Sequence, residues 1–462
     1  MSENKYKKLF NNSILFAIGN FGSKFITFFM LPLYTYQLSQ ADYGITDLIQ
    51  TTVSLLIPVV TLSVFDAVLR FAMDKEYDRK KVFSIGVYIT FVSSLCLSII
   101  GLICLAFNEK YVFYVIIILI IQNIQVLFSQ FVKAIQQVKL FAVNGILLSF
   151  LTALFNILFL LVFKMELDGY ILALFLANLI SNLYLFFKGN LFQYIEWKNI
   201  SKALLVDMTK YSTPLIPNSI AWWVTNAVSR YFILIFLGPS ANGIFAVANK
   251  IPTLLSVLNS VFFQSWQMSA IEENNSGEKE HFYSTVYNLY YQFLFISTSG
   301  ILLILKPIII MIVSPEFYIS WKYVPLLLLS VLYSSLSGFF GQFYIAAKKT
   351  KGLLSTTILG AIINVLMNVI LIPLFGLQGA ALSSAISFFV IWIFRIRDTK
   401  KIVKININNK NTLFNHVFLI FQILSLYVLD GNVMFLSQIL LFFIVLIVNR
   451  ETIIKIIKKI VN

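Results

Sequence analysis

Long apolar runs recur along the whole chain, and each is long enough to cross a lipid bilayer. A span needs roughly 20 mostly apolar residues, because a helix rises about 1.5 Å per residue through a hydrocarbon core about 30 Å thick. Of the 462 residues, 59% are hydrophobic and 12% are charged, whereas soluble domains carry about 25% charged residues. The runs also lack the alternation of β-barrel strands. The sequence therefore predicts an all-α membrane protein.

We predict about 14 transmembrane helices from these runs. They cover residues 9–38, 43–70, 82–107, 111–132, 140–163, 169–187, 211–237, 243–268, 282–306, 323–345, 353–374, 377–396, 413–429 and 433–449. The last two runs are short, so a count of twelve helices plus a hairpin stays open.

The distribution of basic residues predicts the orientation of the chain. With an even number of spans, both termini lie on one side. The termini and the loops on that side hold 28 of the 35 Lys and Arg residues, and the opposite loops hold four. Cytoplasmic loops are the ones enriched in Lys and Arg, so we expect both termini to be cytoplasmic. Basic loops facing anionic lipid account for the net charge of +15, and no nucleic-acid-binding motif is present.

A weak internal repeat divides the sequence. An offset of 199 residues aligns 38–105 with 237–304, and the loop QADYGI then meets PSANGI. Such a repeat predicts two pseudo-symmetric six-helix bundles whose helices begin on the same side of the membrane. We therefore predict a first bundle over 1–199, a second over 200–404, and two additional helices with a basic cytoplasmic tail over 405–462.

Three stretches carry a family resemblance, and the third is the most specific. They are LSQADYGITDLI (38–49), LGPSANGIFAVANKI (237–251) and GAIINVLMNVILIPLFGLQGAALSSAIS (360–387). Together they resemble the Wzx-type flippases of O-antigen and capsule repeat units, within the multidrug/oligosaccharidyl-lipid/polysaccharide exporter superfamily. The third stretch also resembles lipid II flippases, so it indicates the superfamily more specifically than the substrate.

This resemblance covers essentially the whole chain. It implies two bundles around a central cavity in the bacterial inner membrane. The implied substrate is an undecaprenyl-pyrophosphate-linked oligosaccharide, moved across the lipid bilayer for lipopolysaccharide or capsule synthesis. A polysaccharide polymerase and a chain-length regulator are implied partners. The chain departs from many relatives by placing Arg230 where they carry an acidic residue, which weakens the case for an acidic coupling site there.

Three cations lie well inside predicted spans, away from the span ends, namely Lys24, Arg230 and Lys250. A cation at mid-bilayer costs about 2.5–3.5 kcal/mol on insertion scales, so such residues usually face a wet cavity or a partner. Arg binds phosphate as a fork and Lys binds it as a point charge. We therefore predict that the three line a positive inner surface for an anionic substrate. The alternative is that each pairs with a carboxylate or extends to the membrane surface.

Several polar residues accompany these cations. Asn218 and Asn226 share the seventh span with Arg230 and are predicted to bind substrate. Asp47, Asp66 and Arg70 are candidates for ion coupling or ion pairing. Asp47 could pair with one of the buried lysines, and Asp66 could pair with Arg70 four residues away. Prolines within TPLIPNS (213–219) and IPTLL (251–255) predict bends in the seventh and eighth spans.

Catalytic chemistry finds little support in the sequence. His281 and His416 are predicted in or beside cytoplasmic loops, and no metal-ligand cluster or phosphate loop is present. We expect no cofactor, no metal and no enzyme activity, with energy drawn from an ion or substrate gradient.

A multidrug extruder would need buried carboxylates. A glycan polymerase would need a large outer loop, whereas the longest predicted outer loop covers only 314–323.

Overall fold

The computed structural model describes residues 22–74, 76–196, 201–272, 279–347 and 350–450. Within those ranges the chain is helical and contains no β-strand, which confirms the all-α prediction. The first predicted span lies only partly in this region, as a helix over 22–29 followed by α1. The predicted basic tail beyond residue 450 lies outside the described residues.

The chain separates into two compact units, Met1–Trp223 and Val224–Asn462. The first unit contains α1 (Leu31–Gln37), α2 (Gln40–Val60), α3 (Val64–Met73), α4 (Arg79–Ala106), α5 (Lys110–Ala134), α6 (Val138–Asn156), α7 (Glu166–Lys188), α8 (Lys202–Ser212) and the start of α9 (Leu215–Ala227). A π-helix, Ile157–Val162, extends α6. The three-part division predicted from the repeat stays a prediction.

The second unit holds the remaining helices. They are α10 (Ser229–Leu237), α11 (Pro239–Glu272), α12 (Lys279–Ile312), α13 (Val324–Ala346), α14 (Thr350–Phe375), α15 (Leu377–Thr399), α16 (Asn409–Val428) and α17 (Gly431–Val448). A 3₁₀ helix, Pro315–Lys322, precedes α13.

Among the described residues, 12 helices are long and apolar enough to cross a membrane, and the bent pair α8–α9 and α10 makes up to 13. The last two helices, α16 and α17, both qualify, with 20 and 18 residues. The predicted span 43–70 is instead two helices, because Leu62 and Ser63 adopt positive φ and form a turn. The Ser63 N–H donates to the carbonyl of Pro58 at 2.8 Å and closes that turn.

The helix starts reproduce the predicted repeat. Helix α2 begins at Gln40 and α11 at Pro239, whereas α4 begins at Arg79 and α12 at Lys279. The two offsets are therefore 199 and 200 residues. Boundaries repeat more clearly than residue identities do, because helix ends depend on local turns whereas lipid-facing positions accept many apolar residues.

The first unit is packed by aromatic and branched aliphatic side chains. Phe83 of α4 and Phe131 of α5 are fully buried and stack with their ring centroids 4.1 Å apart. Val68 of α3 and Met208 of α8 belong to the same buried cluster. Lipid tails are as apolar as these side chains, so close van der Waals packing, more than water exclusion, stabilises the contact.

In the second unit, α13 is the central helix. Of the described spans it is the most buried, with 72% of the residues in its most apolar stretch buried. In α17 the corresponding share is 17%, so that helix presents most of its surface outward. Trp266 of α11 stacks on Phe339 of α13 at 4.3 Å between centroids. Phe262 stacks on Tyr290 of α12 at 4.0 Å. These rings join three helices into one aromatic cluster.

Amide side chains attach the last two helices to this unit. Gln422 of α16 donates to the carbonyl of Ser299 on α12 and accepts from its hydroxyl, at 3.0 and 2.7 Å. Gln438 of α17 donates to the carbonyl of Gln422 at 2.8 Å. Asn415 and Asn449 exchange two hydrogen bonds. Interhelical bonds of this kind contribute about 0.6 kcal/mol each on average, and together they specify the pairing.

Arg395 of α15 is a buried cation that lies one residue before the end of the predicted span 377–396. Only 7% of its surface is exposed. Its Nε and one terminal nitrogen donate to the hydroxyls of Thr356 and Thr357 on α14, and the other terminal nitrogen donates to the carbonyl of Ser337 on α13, all at 3.0 Å. The guanidinium thus joins three helices through neutral oxygen atoms.

Glycine permits the close approach of α14 and α15. Gly376 joins the two helices with a φ of +58°, a conformation that side-chain-bearing residues rarely adopt. A Cβ on Gly379 would collide with the backbone of Leu371 and Ile372 in the preceding helix. A backbone cannot move aside as a flexible side chain can, so this position excludes even alanine.

We expect Gly379→Ala to destabilise the second unit by about 1–3 kcal/mol, the usual cost of overpacking. The measurement is the thermal unfolding midpoint of the purified protein in detergent. Gly300→Ala is the matched control, because its Cβ would meet Phe442 at an ordinary 3.5 Å. Equal midpoints for both variants would show that the helices are not packed as described.

Replacing the buried guanidinium should also be costly. Arg395→Met leaves buried hydroxyl and carbonyl groups without their donor, which costs about 1–3 kcal/mol for each unsatisfied group. Arg397→Met is the control, since Arg397 is exposed on the same helix. We expect a lower unfolding midpoint for the first variant only. An unchanged midpoint for Arg395→Met would contradict the buried network.

Candidate functional site

Lys24 lies on the helix over 22–29 and its side chain is exposed. That helix contacts α6 through the Ser23 hydroxyl, which donates to the carbonyl of Gly145 at 3.0 Å. Within the described part of the chain, no ion pair or hydrogen bond is recorded for the Lys24 ammonium. The pairing with Asp47 that the sequence left open is therefore not seen in this structure.

Asp47 faces a polar network that sequence reasoning missed. It is half-buried on α2 and interacts electrostatically with Tyr170 of α7. Gln50, on the same helix as Asp47, accepts a hydrogen bond from Gln122 of α5 at 3.4 Å. Asp47 and Gln50 are three residues apart and therefore share one helix face. This spacing is the sequence feature from which the polar network could have been predicted. A carboxylate among amides and a phenol can exchange a proton or accept a cation.

Asp66 and Arg70 lie on the short helix α3. The Arg70 guanidinium instead contacts Asp74 four residues further on, at 3.2 Å. Both partners are partly exposed, with 57% and 28% of their side-chain surfaces accessible. An exposed pair of this kind contributes little stability. Asp66 is half-buried on the same helix.

The seventh predicted span is broken close to its predicted site residues. Helices α9 and α10 meet at Val228 and are bent by 48°. A second turn at Thr213 and Pro214 separates α8 from α9, as the proline predicted. The sharper bend lies more than ten residues beyond that proline, so proline position alone did not locate it.

Arg230 lies just after the bend and is half-buried. One of its terminal nitrogens donates to the carbonyl of Asn226 at 3.4 Å. A break in a helix frees carbonyl groups from their usual amide partners, and a guanidinium satisfies such groups well. Asn218 and Asn226 are exposed on α9. Their amides are therefore accessible to a ligand with hydroxyl groups.

Lys250 is half-buried on α11, two residues before Pro252. Helix α10 packs against α11, and Gly238 joins the two with a φ of +84°. Arg230 and Lys250 thus lie on consecutive, packed helices of the second unit, as the sequence predicted. The joint positive surface that would also include Lys24 of the first unit stays a prediction.

A large polar groove lies in the second unit and was not expected from the sequence. Its volume is about 860 Å³, and it is lined by the first turns of α12 and by the segment 404–411. The sequence feature that could have indicated the groove is the composition of that segment, KININNKN, which begins with polar residues alternating with isoleucine. No group of three or more potential metal ligands occurs among the described residues.

Comparison with known proteins identifies the family of this chain from its sequence and solved structures that share its fold. The protein-family model described as "Polysaccharide biosynthesis protein" matches residues 9–267, which is more than half of the chain. The chain is also 25% identical to Lsg locus putative protein 1 of Haemophilus influenzae over 259 residues. That alignment covers 54% of this chain and 63% of the relative, so it spans less than two thirds of the relative's length.

Solved structures share the fold over nearly the whole chain. A lipid II flippase MurJ in an inward closed conformation superposes with a TM-score of 0.72 at 14% identity, covering 97% of this chain and 100% of that one. An inward-facing multidrug resistance MATE family transporter gives a TM-score of 0.65 at 13% identity, covering 84% of this chain and 98% of that one. Given the family match over more than half of its length, this chain belongs to the polysaccharide biosynthesis protein family.

Proposed function

We propose that this protein is a flippase for an undecaprenyl-pyrophosphate-linked oligosaccharide repeat unit. It moves the unit from the cytoplasmic to the outer leaflet by alternating access, coupled to an ion gradient. The observation that carries the proposal is membership in a polysaccharide biosynthesis family combined with the fold of a lipid II flippase over 97% of the chain. The protein acts in the bacterial inner membrane, with both termini cytoplasmic.

The cations give this proposal its chemistry. A pyrophosphate carries several acceptor oxygens, which an Arg guanidinium engages with two parallel donors. Arg230 lies just after the break between α9 and α10, where one of its terminal nitrogens donates to the neutral Asn226 carbonyl at 3.4 Å, and we assign the phosphate contact to this guanidinium. Lys24 and Lys250 add positive charge, and Asn218 and Asn226 present amides to sugar hydroxyls.

The broken helix α9–α10 provides a mechanical element. Interrupted helices in transporters commonly lie at binding sites, where their free backbone groups contact ligand or ion. A 48° bend beside Arg230 allows the two helix segments to change angle when the cation is engaged or released. Asp47 and Asp66 are the carboxylates proposed for ion coupling. Transfer of the product to a polymerase and a chain-length regulator completes the proposed pathway.

A second candidate function is multidrug extrusion, which the MATE transporter likeness favours. Such a protein would bind cationic drugs through buried carboxylates. Arg230, Lys250 and Lys24 instead favour an anionic substrate, and the MATE likeness covers less of the chain than the flippase likeness does. Deletion of the gene distinguishes the two functions, because drug sensitivity with normal surface glycan would support the extruder.

Removing the Arg230 guanidinium should impair export. Arg230→Ala removes a charge-assisted contact worth about 1.5–3 kcal/mol, so we expect a roughly 10–100-fold loss of surface polysaccharide with unchanged protein level. Immunoblotting of membranes and quantification of surface glycan give the two values. Arg397→Ala is the control, since Arg397 is exposed at the end of α15. Normal polysaccharide in Arg230→Ala cells would count against the proposed role.

A deletion strain should accumulate its substrate on the cytoplasmic face. We expect lipid-linked oligosaccharide that a membrane-impermeant lectin cannot reach in intact spheroplasts but does reach after the membrane is permeabilised. Restoring the wild-type gene should return the glycan to the outer face. Lectin-accessible oligosaccharide in the deletion strain would show that another protein performs the transfer.

A further inference from the structure

The segment between α15 and α16 is extended and lies along the beginning of α12. We call residues 403–408 the strap. Glu280 of α12 accepts from the backbone N–H of Lys404 at 3.1 Å, and Ser284 accepts from that of Asn406 at 2.9 Å. Asn288 donates to the carbonyl of Asn406 at 2.9 Å and accepts from the N–H of Asn408 at 3.4 Å.

The contact is regular because the spacing of side chains along α12 matches the spacing of residues along the extended strap. Four residues of helix rise about 6 Å, and two residues of extended chain advance about 6.6 Å. Side chains every four residues on α12 therefore meet the backbone of every second strap residue. The strap is held in one register without belonging to a sheet.

This register decides which strap side chains are accessible. Val403 is buried and Ile405 and Ile407 are half-buried, whereas Lys404, Asn406 and Asn408 are exposed. Period-two alternation of this kind is the pattern of an extended segment with one packed face. The exposed face carries a cation and two amides at fixed spacing.

A groove of about 860 Å³ opens beside the strap and α12, and Lys404, Asn406, Lys410, Asn411 and His281 contribute to its lining. This volume lies within the roughly 300–1,000 Å³ range of small-molecule sites. Two lysines face one carboxylate, that of Glu280, which already accepts the Lys404 backbone N–H. The charge favours an anion, and the amides supply donors and acceptors for hydroxyl groups.

The position of the groove indicates how a ligand reaches it. Helices α12 and α16 are both long and apolar enough to span a membrane, and both begin at the groove. The basic loops predict that this end is cytoplasmic. The groove is therefore expected near the headgroups of the inner leaflet, where anionic lipids concentrate.

We propose that this groove binds a phosphate carried by a hydroxyl-bearing headgroup, with Lys404 and Lys410 engaging the phosphate and the strap asparagines engaging the hydroxyls. The groove lies within the second unit, and Arg230 is not among its lining residues. Binding at the strap side chains stabilises the strap on α12 and, through it, the connection between α15 and α16. The ligand can be lipid-borne or free, and the two sources share this chemistry.

The test compares three probes on the purified full chain in detergent. They are short-chain phosphatidylglycerol, short-chain phosphatidylcholine and soluble glycerol 3-phosphate. The readouts are the thermal unfolding midpoint and the apparent Kd. We expect phosphatidylglycerol to raise the midpoint and phosphatidylcholine to leave it unchanged. A matching response to glycerol 3-phosphate identifies the headgroup alone as sufficient, and its absence identifies the membrane as the source.

Variants locate the binding to the groove. Lys404→Gln with Lys410→Gln should weaken the apparent Kd for phosphatidylglycerol at least tenfold, while the midpoint without ligand stays at the wild-type value. Lys188→Gln with Lys400→Gln is the matched control, because both lysines are exposed and neither lines the groove. Equal responses to the two lipids, no response to any probe, or wild-type affinity in the groove variant would overturn the proposal.

Discussion

A polar group within a bilayer has no water to bind, so it must find a partner in the chain or face a hydrated space. In the second unit this constraint determines much of how the helices pair. Gln422 bonds to Ser299 on one neighbouring helix and to Gln438 on another, and Asn415 and Asn449 form a reciprocal pair. These contacts determine which helices neighbour each other, a choice that apolar packing alone specifies poorly.

Arg395 follows the same constraint with a formal charge. Its nitrogens meet hydroxyl and carbonyl oxygens on two neighbouring helices, so the cation serves assembly of the unit. Arg230 lies beside a helix break, where its guanidinium donates to the neutral carbonyl of Asn226. In the proposed function it contacts the phosphate of the substrate, whereas Arg395 holds three helices together. The strap groove is a third case, in which polar groups collect at a helix end instead of within a span.

The sequence predicted the helices well and the polar contacts poorly. Apolar runs and positive charge mark spans directly, and the described helices follow the runs from residue 79 onward within a few residues at most boundaries. The turn at Leu62 and the bend at Val228 were missed, because neither coincides with a glycine or a proline. The burial of Arg395 was not predicted, because the partners that satisfy it, such as Thr356, are distant in sequence. Lys24 illustrates the remaining gap, because its surroundings depend on tertiary packing that the sequence does not specify.

Transport by the purified protein tests the central claim most directly, namely that cations within the spans serve the passage of a phosphorylated glycolipid. The protein is reconstituted into liposomes with a polyprenyl-pyrophosphate oligosaccharide confined to the inner leaflet, and a lectin outside reports its arrival. The account predicts protein-dependent transfer, and little transfer of a polyprenyl oligosaccharide that lacks phosphate. No transfer above protein-free liposomes, or equal transfer of the two lipids, would contradict it.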